Sequence, residues 1–273
     1  MIRIGILEDP ASIKDSARII DQIRELKIIN AAFNSTTDED LLSSAKKIIC
    51  ASDAIYFGID RPASGLIKQI IRSGMNIYFA DIPDLNIKEA EELKNLESEA
   101  GCVSQIFNPY IFDPVNFKQS DKVQPPFLIN AQLSPVPGVG IKGQIIRLLL
   151  FIDSLDDSIS PKIEVYSLEG EKESYVMDLN LSFYSGSLAH IVISPQIKGE
   201  ESQLNLFRKE GGKISLNIKQ TQKGERVLTS LENFVNAISG KPAVRISIDK
   251  LFLATQIVEE IKGKLKLRGS LLL

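Results

Sequence analysis

The sequence predicts an α/β fold, a doubly wound parallel sheet followed by an α+β domain whose sheet is largely antiparallel. Three observations carry the prediction. Through about residue 120, short apolar runs alternate with helical segments, as crossover units around a parallel sheet require. Beyond Asn116 the runs alternate apolar and polar positions instead, the mark of strands with one drier face. Two helical segments then close the chain. The expected domains are residues 1–120 and 121–273, with the last helices packing back on the first domain.

The elements follow in order. Ile2 to Leu7 is a buried strand. Ala11 to Leu26 carries Ile13, Ala17, Ile20, Ile23 and Leu26 at helical spacing. Ile28 to Phe33 is a second strand, and Asp38 to Ile49 a helix with Thr37 as its N-cap. Ala54 to Gly58 is a third strand, and Ala63 to Ser73 a helix stopped by Gly74. Ile77 to Ala80 is a fourth strand. Ile87 to Ala100 is a helix opened by a capping pair, Asn86 and Glu89, and closed by Gly101. Val103 to Phe107 is a fifth strand.

Lys118 to Pro126 is polar, ends in two prolines and reads as a linker. A helix is expected at Gly143 to Leu155. Strands follow at Ile163 to Ser167, Tyr175 to Phe183, Ser187 to Ile193, Gln203 to Phe207 and Lys213 to Ile218. In the second of these Leu179, Leu181 and Phe183 face one way, and Asp178, Asn180 and Ser182 the other. Helices are expected at Leu228 to Ile238 and Asp249 to Lys264. The alternating charges of Lys262 to Arg268 read as a solvated final strand.

Composition narrows the functional classes. The 273 residues suit one large domain or two ordinary ones, with 44% hydrophobic and 25% charged residues. A formal net charge of -3 leaves no electrostatic footprint for nucleic acid. No apolar stretch reaches the ~18 residues of a membrane span, and no signal-peptide pattern is read at the start, so a cytoplasmic protein is expected. Cys50 and Cys102 fit no metal spacing and read as buried thiols, and no metal site is expected.

The ordered segments resemble one known family. "MIRIGI", "SDAIYFGI", "IIRSGMNIYFADIP" and "NIKEAEELKNLESEAGC" are similar to the first domain of glucose–fructose oxidoreductase and inositol dehydrogenase-type (Gfo/Idh/MocA) proteins. "SFYSGSLAHIVIS", "RKEGGKISL" and "ENFVNAISGKPAVRISIDKLFLATQIVEEI" resemble their second domain and closing helices. The resemblance implies a Rossmann-like first domain that binds NAD or NADP. It also implies redox chemistry on sugars or polyols, a lysine and a histidine for proton transfer, and pairing of copies through the open sheet of the second domain.

The family's functional residues are largely missing. Counted from Gly5, the three glycine positions of the phosphate turn hold Glu8, Pro10 and Ile13. Glycines there permit a tight turn and close approach of backbone to pyrophosphate. Pro10 has no N–H to offer. Glu8 and Asp9 place negative charge beside the phosphate position. Two unit charges ~4 Å apart repel by about 4 kcal/mol at an effective dielectric near 20. A helix N-terminus returns only about 0.3–2 kcal/mol, so repulsion wins. Glu8 and Asp9 are expected instead to serve the open N–H groups of a helix that starts within about two residues of Pro10.

Asn34 stands where NAD-binding sheets carry an acid on the ribose. No lysine lies between Gly74 and Ile87, which leaves Asp81 as a weak substitute base. The helix "KGQIIRLLLFIDSLDD" contributes Arg147 and Asp153 but no histidine. His190, the only histidine in the chain, shares a strand face with Leu188 and Val192 and reads as a half-buried sheet or interface residue. Pro137 to Gly143 reads as a flexible loop. The cleft positions to watch are Leu7, Glu8, Asn34, Ile59, Asp60 and Pro62. The leading expectation is a catalytically degenerate member with weak or no NAD(P) binding, open to another small-molecule ligand. The alternatives are an active NAD(P)-dependent oxidoreductase and an assembly protein that dimerises through its C-terminal sheet.

Overall fold

The structure, a computed structural model, describes residues 1–9, 11–33, 38–59, 64–113, 123–136, 139–156, 161–169, 175–198, 202–216 and 223–267. The chain forms two compact units, residues 1–108 with 222–252, and residues 109–221 with 253–273.

The first unit is built on five parallel strands, β1 (Ile2–Glu8), β2 (Leu26–Phe33), β3 (Ala54–Gly58), β4 (Asn76–Phe79) and β5 (Ser104–Ile106), in the order β2-β1-β3-β4-β5. Strand order reverses where β1 pairs with both β2 and β3. Helices α1 (Ile13–Ile20), α2 (Asp38–Ala51), α3 (Ser64–Arg72) and α4 (Ile87–Ala100) connect the strands, so the doubly wound prediction holds. Ile4, Ile6, Ile55 and Ile77 are fully buried in the sheet. Helix α2 lies so close to β1 that a Cβ on Gly5 would stand 2.1 Å from Ile48 Cγ2. Only glycine fits there.

Helix α4 begins as its sequence predicts. The Glu89 N–H donates to Asn86 Oδ1 at 3.0 Å and the Asn86 N–H donates to Glu89 Oε2 at 3.0 Å. Gly101 closes it in the left-handed region at φ 62°. Helix α1 is shorter than expected. It covers Ile13–Ile20, and single turns closed by the Ile23 and Leu26 N–H groups carry the chain into β2. Ile23 and Leu26 are buried as the spacing implied, but from turns, because an i,i+3 rhythm also suits consecutive turns. Helix α6 (Lys223–Ile238) joins this unit beside α1 and over β4, starting five residues before its expected Leu228.

The second unit holds a six-stranded sheet of β6 (Phe127–Leu133), β7 (Lys162–Glu169), β8 (Tyr175–Ser182), β9 (Leu188–Ile193), β10 (Gln203–Arg208) and β11 (Lys213–Leu216). Its order is β11-β10-β6-β9-β8-β7, antiparallel except for the parallel pair β6 and β9. Strand β6 is an addition to the predicted elements. Ile129, Ala131, Leu133, Leu179, Leu181, Ile191 and Leu206 make the buried face. Helix α5 (Gly140–Leu155) is buried from Gln144 to Ile152 and starts at Gly140, φ 61°, so the end of the expected Pro137–Gly143 loop is helical. Helix α7 (Ile248–Leu267) runs through the segment read as a final strand. Val258, Ile261 and Leu265 are buried at helical spacing there, and this overrides the alternation of Lys262, Lys264 and Lys266.

Candidate functional site

In an open parallel sheet, ligands bind beyond the carboxyl ends of the strands at the point where strand order reverses. In the first unit that point is the end of β1 against the end of β3. Leu7 pairs with Phe57 and Glu8 with Gly58. Leu7 is fully buried, and Ile59, just beyond β3, is 8% exposed. Leu7, Glu8 and Ile59 are thus all buried at this end of the sheet, with Leu7 and Glu8 on opposite faces of β1. Asn34, Asp60 and Pro62, with Pro10 and Thr37, lie outside the described residues.

Glu8 dominates the geometry. Residues alternate sides along a strand, so Glu8 shares a face of β1 with Ile4 and Ile6, and it is only 5% exposed. Its Oε1 accepts the Ser16 hydroxyl of α1 at 2.9 Å. Ser16 Oγ stands 3.2 Å from Tyr56 Oη on β3, and since the serine proton is given to Glu8, the tyrosine donates. The Glu8 side chain lies across Gly58, where a Cβ would stand 3.0 Å from its Cγ and its Oε1. The expectation that Glu8 serves the N–H groups of α1 is thus corrected. Its carboxylate turns inward to a side-chain hydroxyl one turn into the helix. The helix itself starts at Ile13, three residues past Pro10.

Tyr56 continues the polar line inward. Its ring stacks on that of Tyr78 with centroids 5.4 Å apart, and Tyr78 meets Phe234 of α6 at 5.7 Å. Burial, and then the Glu8 charge, push the Tyr56 phenol well above its usual value. Burial, and then Tyr56, do the same for Tyr78. Both phenols hold their protons at neutral pH. Ser16, Tyr56 and Gly58 were not read as site residues in the sequence. The available signals were a glycine closing an apolar strand and a serine on the buried stripe between Ile13 and Ile20.

The remaining candidates stand apart from this network. Asp81 is exposed after β4, and its Oδ1 accepts the Ile82 N–H at 2.7 Å. Arg147 of α5 is 9% exposed, and Gln144 on the same helix donates to the Ser134 carbonyl at 3.0 Å. His190 lies on the outer face of the second sheet, its Nε2 3.2 Å from Asp178 Oδ1. Cys102 is buried as expected, whereas Cys50 is exposed. Among the described residues, no group of three or more His, Cys, Asp or Glu side chains is placed to hold a metal ion. None of the described helices is long and apolar enough to cross a membrane.

The fold type implies a nicotinamide dinucleotide, and the turn after β1 fits one poorly. A pyrophosphate needs backbone N–H groups and the absence of nearby negative charge. The Ser12 N–H is spent on the Asp9 carbonyl at 3.0 Å, Pro10 has none, and a buried carboxylate ends the strand.

No family model matches the sequence, and no curated protein matches it significantly. Solved structures do. UDP-N-acetylglucosamine 3-dehydrogenase from Acidithiobacillus ferrooxidans is 12% identical with a TM-score of 0.70, over 96% of this chain and 97% of that one. An oxidoreductase from Thermotoga maritima is 14% identical with a TM-score of 0.70, over 95% of each chain. The MviM dehydrogenase from Clostridium difficile is 12% identical with a TM-score of 0.68, over 96% of this chain and 99% of that one. At such identities the likeness establishes the fold, and it runs nearly end to end. The chain has the fold of the glucose–fructose oxidoreductase and inositol dehydrogenase type, a parallel Rossmann-like sheet followed by a mixed, mainly antiparallel one.

Proposed function

We propose that this chain is an oxidoreductase-fold protein that has lost nicotinamide chemistry and works by binding another ligand or by assembly. One observation carries the reading: Glu8, buried and bonded to Ser16, stands at the strand-order switch point where a dinucleotide fold places the first glycine of its phosphate turn. A dinucleotide there loses backbone donors and meets the buried Glu8 carboxyl group. The absence of lysine between Gly74 and Ile87, and of histidine from α5, supports the same reading for the chemical step.

The test is calorimetric titration with NAD, NADH, NADP and NADPH, with mass spectrometry for carried-over cofactor. Binding is expected at millimolar dissociation constants or weaker, about 4 kcal/mol or less in standard free energy. Micromolar binding of any of the four, or stoichiometric cofactor in the purified protein, would overturn it. Either would promote the alternative, an NAD(P)-dependent oxidoreductase acting on a sugar or polyol.

A second observation favours assembly. Leu128, Tyr166, Leu168, Leu188 and Phe207 are large, exposed, apolar-bodied side chains on the outer face of the second sheet. Leu188, Leu128 and Phe207 form one row across β9, β6 and β10. The charges on that face are mixed, with Lys162 and Lys213 against Glu164 and Asp178, so a second copy is not repelled. We propose that two copies pair through this face. Sedimentation should show a dimer at micromolar concentration, and Leu188→Glu should dissociate it. A monomer at those concentrations rules this pairing out.

A further inference from the structure

His190 is the chain's only histidine, and it sits in the middle of the face just described. Directly across from it are Asn180 on β8 and Asn130 on β6. Its one charged neighbour on the flanking strands is Asp178, which accepts from His190 Nε2 at 3.2 Å and from Asn180 Nδ2 at 2.9 Å. Strand β6 offers no titratable group to it. One strand further out, β7 carries Tyr166 and the pair Lys162 and Glu164, closed on itself at 2.9 Å. Lys213 lies at the opposite edge, on β11.

We infer that His190 and Asp178 make self-association through this face dependent on pH. The inference rests on the dimer reading above. Each side chain of the pair is more than one-third exposed in the single chain, at 38% and 40%, so a second copy laid on the sheet removes water from both. With His190 protonated, what is buried is a hydrogen-bonded ion pair of no net charge. With His190 neutral, it is a lone carboxylate in each copy, and an uncompensated charge is the expensive thing to desolvate. Association therefore raises the affinity of His190 for its proton. Pairing is thus favoured at the lower pH and weakens as pH rises. Imidazole changes charge between about pH 5 and 8, so the switch falls near neutrality.

The experiment is a sedimentation-equilibrium series on the full chain at pH 6.0 and 8.0 and constant ionic strength. The dissociation constant is expected to be several-fold smaller at the lower pH, since each dimer buries two such pairs. His190→Gln removes that difference while leaving every other titrating group in place. Asp178→Asn reverses its sign, because protonation then buries an unpaired imidazolium. A dissociation constant equal at both pH values, or a difference that survives His190→Gln, overturns the inference and leaves the dimer standing. A chain monomeric at both pH values overturns the dimer reading and this inference with it. A dimer unaffected by Leu188→Glu shows that another surface pairs, and overturns both as well.

Discussion

Glycine 58 and glutamate 8 show how one local change propagates. A carboxylate at the end of a buried strand needs room and a donor. Gly58 supplies the room by lacking a Cβ, and Ser16 supplies the donor. Gly58→Ala sets a methyl 3.0 Å from both Cγ and Oε1 of Glu8. The side chain must shift and strain its bond to Ser16, and the expected loss is about 1–3 kcal/mol. In a double-mutant cycle with Glu8→Ala that loss should shrink to a few tenths of a kcal/mol, since the obstructing atoms are gone. Urea denaturation of the four proteins measures both numbers. If Gly58→Ala costs the same in either background, the Glu8 side chain does not lie where we place it. The sequence marked Glu8 as unusual but misassigned its partner. A neighbouring helix N-terminus is visible in sequence, whereas a serine eight residues away on the buried side of that helix is not.

At the scale of elements, helix caps and strand alternation were legible because their causes are local. Asn86 and Glu89 are three residues apart, and the box they form needs nothing else. Asn86→Ala should cost about 0.5–2 kcal/mol in thermal or denaturant unfolding. The elements that were missed or misread had ambiguous local causes. Strand β6 alternates cleanly through Phe127, Ile129, Ala131 and Leu133, but it follows a proline pair that reads as a linker and has its partners far along the chain. The end of α7 carries two rhythms at once, and packing of Val258, Ile261 and Leu265 selected the helical one.

Elements are also tied together by groups that no local rule reveals. Glu97 of α4 is 7% exposed and accepts from the Ser104 hydroxyl, from the Ser104 N–H at 3.2 Å and from Arg245 at 3.4 Å. Burial raises its pKa, and the Ser104 hydroxyl and Arg245 only partly offset this. A folded-state pKa above the unfolded one stabilises the fold below the unfolded value, and that advantage is lost as pH rises through the folded value. Glu97→Gln should therefore match the parent protein near pH 4 and be the more stable of the two at pH 8. A variant less stable at pH 8 would mean that the ionised carboxylate, with its donors, is the better-held form.

For the whole molecule, fold and chemistry separate. The fold persists nearly end to end across solved structures that share 12–14% of their residues with this chain. Layered architectures need only apolar character of the right period, which many residues supply. A dinucleotide site needs particular residues: a glycine where backbone meets phosphate, free N–H groups and a proton carrier. Those are the positions where this sequence departs, at Glu8, Pro10 and Ile13 and in the lysine-free stretch between Gly74 and Ile87. If the turn is the main obstacle, restoring its glycines should restore binding without rebuilding the fold. The variant Glu8→Gly, Pro10→Gly, Ile13→Gly removes the buried charge, returns one N–H and clears the branched side chain at the first residue of α1. Each ~1.4 kcal/mol recovered tightens binding about tenfold, so affinity should move from millimolar toward tens of micromolar in the same calorimetric titration. The added chain entropy should lower the melting temperature, because glycine costs roughly 0.5–1 kcal/mol where the backbone is ordered. Glu8→Ala alone separates charge from geometry: a gain as large as the triple variant's assigns the block to the carboxylate. A folded triple variant, verified by circular dichroism, that binds no better than the parent would place the obstacle elsewhere in the cleft.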